Sequence, residues 1–199
     1  MTSLLPILMF AVAATVTPGP NNVVVFNSAL HQGIRRTLPV YAGICLGFPV
    51  LFIIVGLGLG KAFVLYPALH WFLRVVGAGY LLLLAWKIAV QPARVENSSG
   101  FIPSSFTSGI LFQWINPKAW VIAVGGISAY TSTGTSSVDV FSFAVVFLVA
   151  TIPCVGVWLL LGRSARVAMK TPQRISAVNK LMGALLATSV LPVIWDVIH

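Results

Sequence analysis

Apolar residues in this chain neither alternate with polar ones nor confine themselves to one helical face. They run in long blocks at about 4–30, 38–60, 71–90, 106–130, 138–162 and 181–198, separated by short polar stretches. Blocks of about 20 residues that are apolar all round are long enough to cross a bilayer as helices, whereas a membrane strand needs only about ten residues and alternates. The pattern predicts an all-α integral membrane protein of six transmembrane helices. The longest connectors, 91–105 and 163–180, are too short for a soluble domain, so residues 1–199 are read as a single transmembrane domain.

Composition agrees. Of 199 residues 58% are apolar and 8% charged, against about a quarter charged in an ordinary soluble domain. The mean hydropathy is +0.99. A soluble globule of this size could not hide so much apolar surface from water. A disordered region, a coiled coil and a disulfide-built secreted domain are excluded on the same grounds.

Charge sets orientation. There are 12 Lys and Arg but 3 Asp and Glu, a net +9. The basic residues sit between apolar blocks rather than in a solvated patch with interleaved aromatics, which argues against nucleic acid. Arg35 and Arg36 follow the first block, Lys87 and Arg94 flank or follow the third, and Arg163, Arg166, Lys170, Arg174 and Lys180 follow the fifth. Lys61 and Arg74 are the basic residues of the other side. The positive-inside rule places the first, third and fifth connectors in the cytoplasm and both termini outside. No Lys or Arg precedes the first apolar block, so residues 1–30 read as a span and not as a cleaved leader. Trp71, Trp86 and Trp158, near block ends, read as interfacial anchors.

The blocks are interrupted in a patterned way. The first contains Thr17, Pro18, Gly19, Pro20, Asn21 and Asn22; the fourth contains Gln113, Asn116, Pro117 and Lys118. Proline inside a helix removes a donor and clashes with the preceding turn. Both helices should break roughly 15–20 Å from their starts, near mid-membrane. Further pairs recur about 100 residues apart: Gly60-Lys61 with Gly162-Arg163, and Arg74 with Gly77-Ala78 against Lys180 with Gly183-Ala184. The order predicts two three-helix repeats, about 1–95 and 101–199. Because three is odd, the second copy enters the membrane inverted. Proline-broken helices at matching positions of inverted halves point to a transporter's binding site, and backbone freed there must be satisfied by protein, water or substrate.

The chemistry at the breaks suits an α-amino acid. Its carboxylate would meet a half-helix N-terminus and the Lys118 ammonium. Its ammonium would meet freed carbonyls, Asn21, Asn22 or Thr17. An ionisable residue held this deep is a functional candidate. The acids, Glu96, Asp139 and Asp196, lie in a connector or near block ends. A second positive charge on a substrate would lack a counter-charge, which predicts neutral amino acids. Proton coupling would have to use Lys118 or Asp196, since relays commonly run through Asp, Glu or His. The glycines Gly43-x-x-x-Gly47, Gly56, Gly58, Gly77 and Gly183 predict close helix packing, and Gly125-Gly126 packing or a hinge.

Thr17-Pro18-Gly19-Pro20-Asn21-Asn22, His31-Gln32-Gly33-Ile34-Arg35-Arg36, the glycines of the second block, and Asn116-Pro117-Lys118-Ala119-Trp120 resemble the lysine exporter (LysE/RhtB) superfamily of bacterial amino-acid exporters. The resemblance covers essentially the whole chain and extends to the branch of cysteine and O-acetylserine exporters. It implies export of amino acids or derivatives, of the cysteine, O-acetylserine, homoserine or threonine class, across the inner membrane. Antiport driven by the proton-motive force follows by analogy. Many members carry an acidic residue where this chain has Asn21, which argues against a carboxylate proton carrier there. The implied partners are an amino-acid substrate, the bilayer and protons, with a homo-oligomer left open.

Other classes fit less well. A membrane thiol–disulfide electron conductor would want paired cysteines beside the breaks, but Cys45 and Cys154 lie in the second and fifth blocks. A metal or small-ion exporter would want clustered His, Asp or Glu. His31, His70 and His199 are far apart and read as loop or terminal residues, so no metal or cofactor is expected. No Ser/His/Asp set or HExxH motif points to an enzyme.

Overall fold

The computed structural model describes residues 4–59, 65, 67–92, 102–130 and 137–198. Within them the chain forms α1 (Leu4–Val16), α2 (Pro20–Gln32), α3 (Ile34–Ile54), α4 (Pro67–Ala89), α5 (Phe106–Ile115), α6 (Pro117–Tyr130), α7 (Ser137–Ala168), α8 (Pro172–Thr188) and α9 (Leu191–Ile198). A π-helical turn, Val55–Leu59, extends α3. Gly60, Lys61, Arg94, Glu96 and His199 lie outside the described residues.

The fold is all-helical among those residues. Segments Ile34–Gly58, Trp71–Ala89, Ser137–Ala168 and Pro172–Trp195 are long and apolar enough to cross a membrane, and α1 with α2, bent by 51°, makes a fifth candidate. The sequence predicts six. The difference lies at 106–130, where the chain divides into α5 and α6, each shorter than a full span. The outer surface is apolar: Met9 and Trp86 are each 66% exposed, an arrangement suited to lipid and not to water.

Two block boundaries move. α7 runs past Gly162 to Ala168, and α8 starts at Pro172 rather than near 181. The basic residues there sit on helical ends that reach beyond the apolar zone, which hydropathy alone reads as connector.

Packing follows a pattern of exchanged partners. α7 lies along α1, α2 and α3; α3 also lies along α5; α4 pairs with α8. Small residues permit the closest approaches. A Cβ on Gly43 would strike the carbonyl of Phe106, and one on Gly109 would lie 2.5 Å from the Val40 carbonyl oxygen. On α7, a Cβ on Gly162 would strike the Phe26 carbonyl. Gly43→Ala is therefore expected to destabilise the protein by about 1–3 kcal/mol, the usual cost of overpacking. A detergent thermal melt matching that of the wild type would contradict it. Gly126 packs against Phe143 and Phe10 whereas Gly125 meets nothing within 4 Å, so packing accounts for Gly126 alone.

The core has two apolar clusters. One holds Val23 to Leu30 residues of α2, Val40 and Ile44 of α3, Phe112 of α5, and Val155 and Leu159 of α7. The other holds Ile7 and Ala11 of α1, Phe48 and Phe52 of α3, Ala119 to Ala123 residues of α6, and Phe143 and Phe147 of α7. Along α1–α2, α5–α6 and α7, the switch between clusters falls at buried polar residues: Thr15 and Asn22, Gln113 and Asn116, and Thr151. A polar layer thus lies between two apolar ones, and both helix breaks are in it.

Candidate functional site

The first break opens where α1 ends at Val16 and α2 begins at Pro20, whose missing N–H is tolerated at a helix start. The last carbonyls of α1 and those of the linker lose their helical donors. Each finds another. Asn22 Nδ2 donates to the carbonyls of Thr15 and Thr17, both at 2.8 Å. Trp158 Nε1 donates to the Val16 carbonyl at 3.0 Å. Lys118 Nζ donates to the Thr17 carbonyl at 3.2 Å, the Pro18 carbonyl at 3.4 Å and Thr17 Oγ1 at 2.8 Å.

The second break is Asn116, in extended conformation between α5 and Pro117. Its Oδ1 accepts from the Lys118 backbone N–H at 3.1 Å, holding the first turn of α6. The two breaks are tied together through Asn21. Asn21 Nδ2 donates to Gln113 Oε1 at 2.9 Å, while Asn21 Oδ1 accepts from Gln113 Nε2 and Asn116 Nδ2, each at 3.2 Å. Gln113 is fully buried and Asn116 nearly so.

Glycine at 19 makes the crossing of Lys118 fit. A Cβ there would lie 3.0 Å from Lys118 Cδ and 3.1 Å from its Nζ. The Lys118 ammonium thus spans from the second break to the first, and its partners here are neutral oxygens.

All ten residues singled out in the sequence meet at this junction: Thr17, Pro18, Gly19, Pro20, Asn21 and Asn22 from one break, Gln113, Asn116, Pro117 and Lys118 from the other. Beside them is a small cavity, about 20 Å³ to the centre of a water-sized sphere, whose lining includes Gly19, Asn22, Phe48, Lys118 and Thr151. No carboxylate lines it. Two polar atoms of its lining, Asn22 Oδ1 and Thr151 Oγ1, are buried without a hydrogen-bond partner.

Some expectations are corrected. Trp158 also has partners inside the protein. α7 continues to Ala168, which leaves Trp158 inside the helix, with its indole on the first break and its ring edge-on to Phe26. His31 is not in a loop: it ends α2, is buried, and lies 2.9 Å from Asn179 Oδ1 through Nε2. His70 is within α4. Arg166 Nη1 donates to the carbonyls of His31 at 2.6 Å and Leu30 at 3.3 Å, completing the C-terminus of α2. Cys45 and Cys154 are free and buried. Among the described residues no group of His, Cys, Asp or Glu could hold a metal.

Sequence comparison agrees with this geometry. Residues 12–190 match the family model of the LysE type translocator. The chain belongs to that family. Its members are multi-pass membrane transporters of the bacterial inner membrane, not enzymes. The resemblance drawn from the residues around Pro18 and Pro117 therefore holds at family level. The translocator is 34% identical over 131 residues to the cysteine/O-acetylserine efflux protein of Salmonella typhimurium, covering 65% of this chain and 66% of the relative. It is 32% identical to the protein of the same description in Escherichia coli K12, over the same shares of each chain. The aligned segment thus spans just under two thirds of these curated relatives. No solved structure matches the translocator.

Proposed function

We propose that this translocator exports neutral amino acids or their derivatives, of the cysteine, O-acetylserine, homoserine or threonine class, from the cytoplasm. The observation that carries the reading is the reach of Lys118 from one helix break to the other. An ammonium and the start of a half-helix at one place suit a carboxylate. An unpaired side-chain oxygen beside them, Asn22 Oδ1, suits an ammonium. The cavity lining supplies no carboxylate for a second positive charge on the substrate. Relatives described as cysteine/O-acetylserine efflux proteins favour small, neutral, polar substrates.

The architecture proposed for this activity is six spans in two inverted three-helix repeats. α1–α2, α3 and α4 form one repeat, and α5–α6, α7 and α8–α9 form the other. The exchange of partners supports it. The first span of each repeat packs on the second span of the other, and the two third spans pack on each other. Alternating access would then be a rocking of one repeat on the other around the junction of breaks. The cytoplasmic side is assigned to the ends bearing Arg35, Arg36 and Arg163 to Lys180, with both termini outside. Proton-motive force is the proposed energy source.

Efflux from proteoliposomes preloaded with a panel of amino acids tests the reading. Neutral polar amino acids should leave at least about 10-fold faster than lysine or arginine, because an unpaired buried charge costs more than a tenfold factor is worth. A protonophore should slow that efflux. Faster export of lysine or arginine would overturn the substrate class.

A further inference from the structure

The hydroxyl of Thr151 has no part in the contacts that hold the breaks together. Threonines inside helices usually return their hydroxyl to the carbonyl of the preceding turn. Thr15 does so to Ala11 at 2.6 Å and Thr37 to Gly33 at 2.9 Å. Thr151, 0% exposed on α7, leaves Oγ1 without a partner and lines the cavity. A buried polar group costs free energy unless something pairs with it, so an orphaned hydroxyl on a cavity wall marks a place for a ligand atom.

A second orphan belongs to another residue that lines the same cavity. Asn22 is 3% exposed, and both of its strong donor contacts, to the Thr15 and Thr17 carbonyls, fix its amide with Nδ2 toward the break. That leaves Oδ1 as an unpaired acceptor. The other polar side chains at the junction are occupied. Asn21 Oδ1 accepts from Gln113 and Asn116, and Thr17 Oγ1 accepts from Lys118. By this elimination two side-chain oxygens of the lining are left as free acceptors: Asn22 Oδ1 on α2, beside the first break, and Thr151 Oγ1 on the unbroken α7.

We propose that Asn22 Oδ1 and Thr151 Oγ1 form the seat for the α-ammonium of the substrate, opposite the Lys118 ammonium that takes its carboxylate. This rests on the amino-acid exporter reading and adds to it the second half of the recognition. The seat is built from oxygen acceptors that carry no charge, so it pairs with one ammonium without adding a buried carboxylate that would also hold a proton or a cation. Thr151 can accept from the ammonium while its O–H turns to donate a hydrogen bond to the carbonyl one turn back, the bond that Thr15 and Thr37 make.

The test compares an amino acid with its des-amino acid, which keeps the carboxylate and side chain but lacks the amine. Serine and 3-hydroxypropionate are such a pair, and cysteine and 3-mercaptopropionate another. Binding of each to purified protein in detergent is measured for the wild type, Thr151→Val, Thr151→Ala and Thr151→Ser. The wild type should favour the amino acid at least 10-fold. Thr151→Val and Thr151→Ala should weaken the amino acid at least 10-fold and the des-amino acid less than 3-fold, and Thr151→Ser should restore amino-acid binding to within 3-fold. Equal weakening of both ligands in the Val and Ala variants would mean a merely structural role and overturn the seat. So would unchanged amino-acid binding in both. A wild type that binds no amino acid at all would instead sink the exporter reading itself, so the two failures are told apart by the wild-type measurement.

Discussion

Efflux of a loaded neutral amino acid is expected to fall at least about 30-fold when Lys118 is replaced by alanine, since losing a desolvated charge partner costs about 2–5 kcal/mol. The ammonium at this site serves two purposes. It pairs with the carbonyls of Thr17 and Pro18, and in the proposed mechanism it is the positive charge that a carboxylate would displace them to reach. Thr17 and Pro18 are exposed, so losing those contacts should leave the fold largely intact. The variant should therefore elute and melt close to the wild type while transporting poorly. Normal efflux in Lys118→Ala, in vesicles with equal protein content, would mean that Lys118 only closes the break.

The largest loss of stability is expected at Asn21. Its amide is the one link between α2 and both Gln113 and Asn116 that the breaks share. Asn21→Leu would strand Gln113 Oε1 and Asn116 Nδ2 in the buried layer, while Gln113 Nε2 keeps its bond to the Gly109 carbonyl at 3.1 Å. At about 1–3 kcal/mol for each stranded group the loss is about 2–6 kcal/mol, a large part of the 5–15 kcal/mol that holds a typical protein folded. The measurement is the thermal midpoint and the folded fraction recovered in detergent. Adding Gln113→Leu to Asn21→Leu should recover part of the loss, because two apolar partners strand nothing between them. A double variant no more stable than Asn21→Leu alone would contradict the proposed link.

Much of this site was legible in the sequence because proline and charge are loud signals in an apolar chain. Pro18, Pro20 and Pro117 marked both breaks, and Lys118 was the one deep cation beside them. Their meeting could be expected from the spacing of the two halves. The glycines of α3 were legible for a related reason: a run of small residues in a membrane helix has little use except close approach. Thr151 was not legible. It is a lone threonine in an apolar run, and only the folded chain reveals that its hydroxyl lacks the usual return bond. The pairing of His31 with Asn179 was hidden by 148 residues of separation. The end of α7 was placed too early, at the first arginine, whereas a helix can carry Arg163 and Arg166 past the apolar zone.

The central claim is that the junction of the two breaks recognises an amino acid's carboxylate through Lys118. The most direct measurement is the binding preference of purified protein for an amino acid over the amine left when its carboxylate is removed, in the wild type and in Lys118→Gln. The account predicts a wild-type preference of about 30-fold or more that falls to near unity in Lys118→Gln. A preference that survives the substitution unchanged would place the carboxylate somewhere other than this junction.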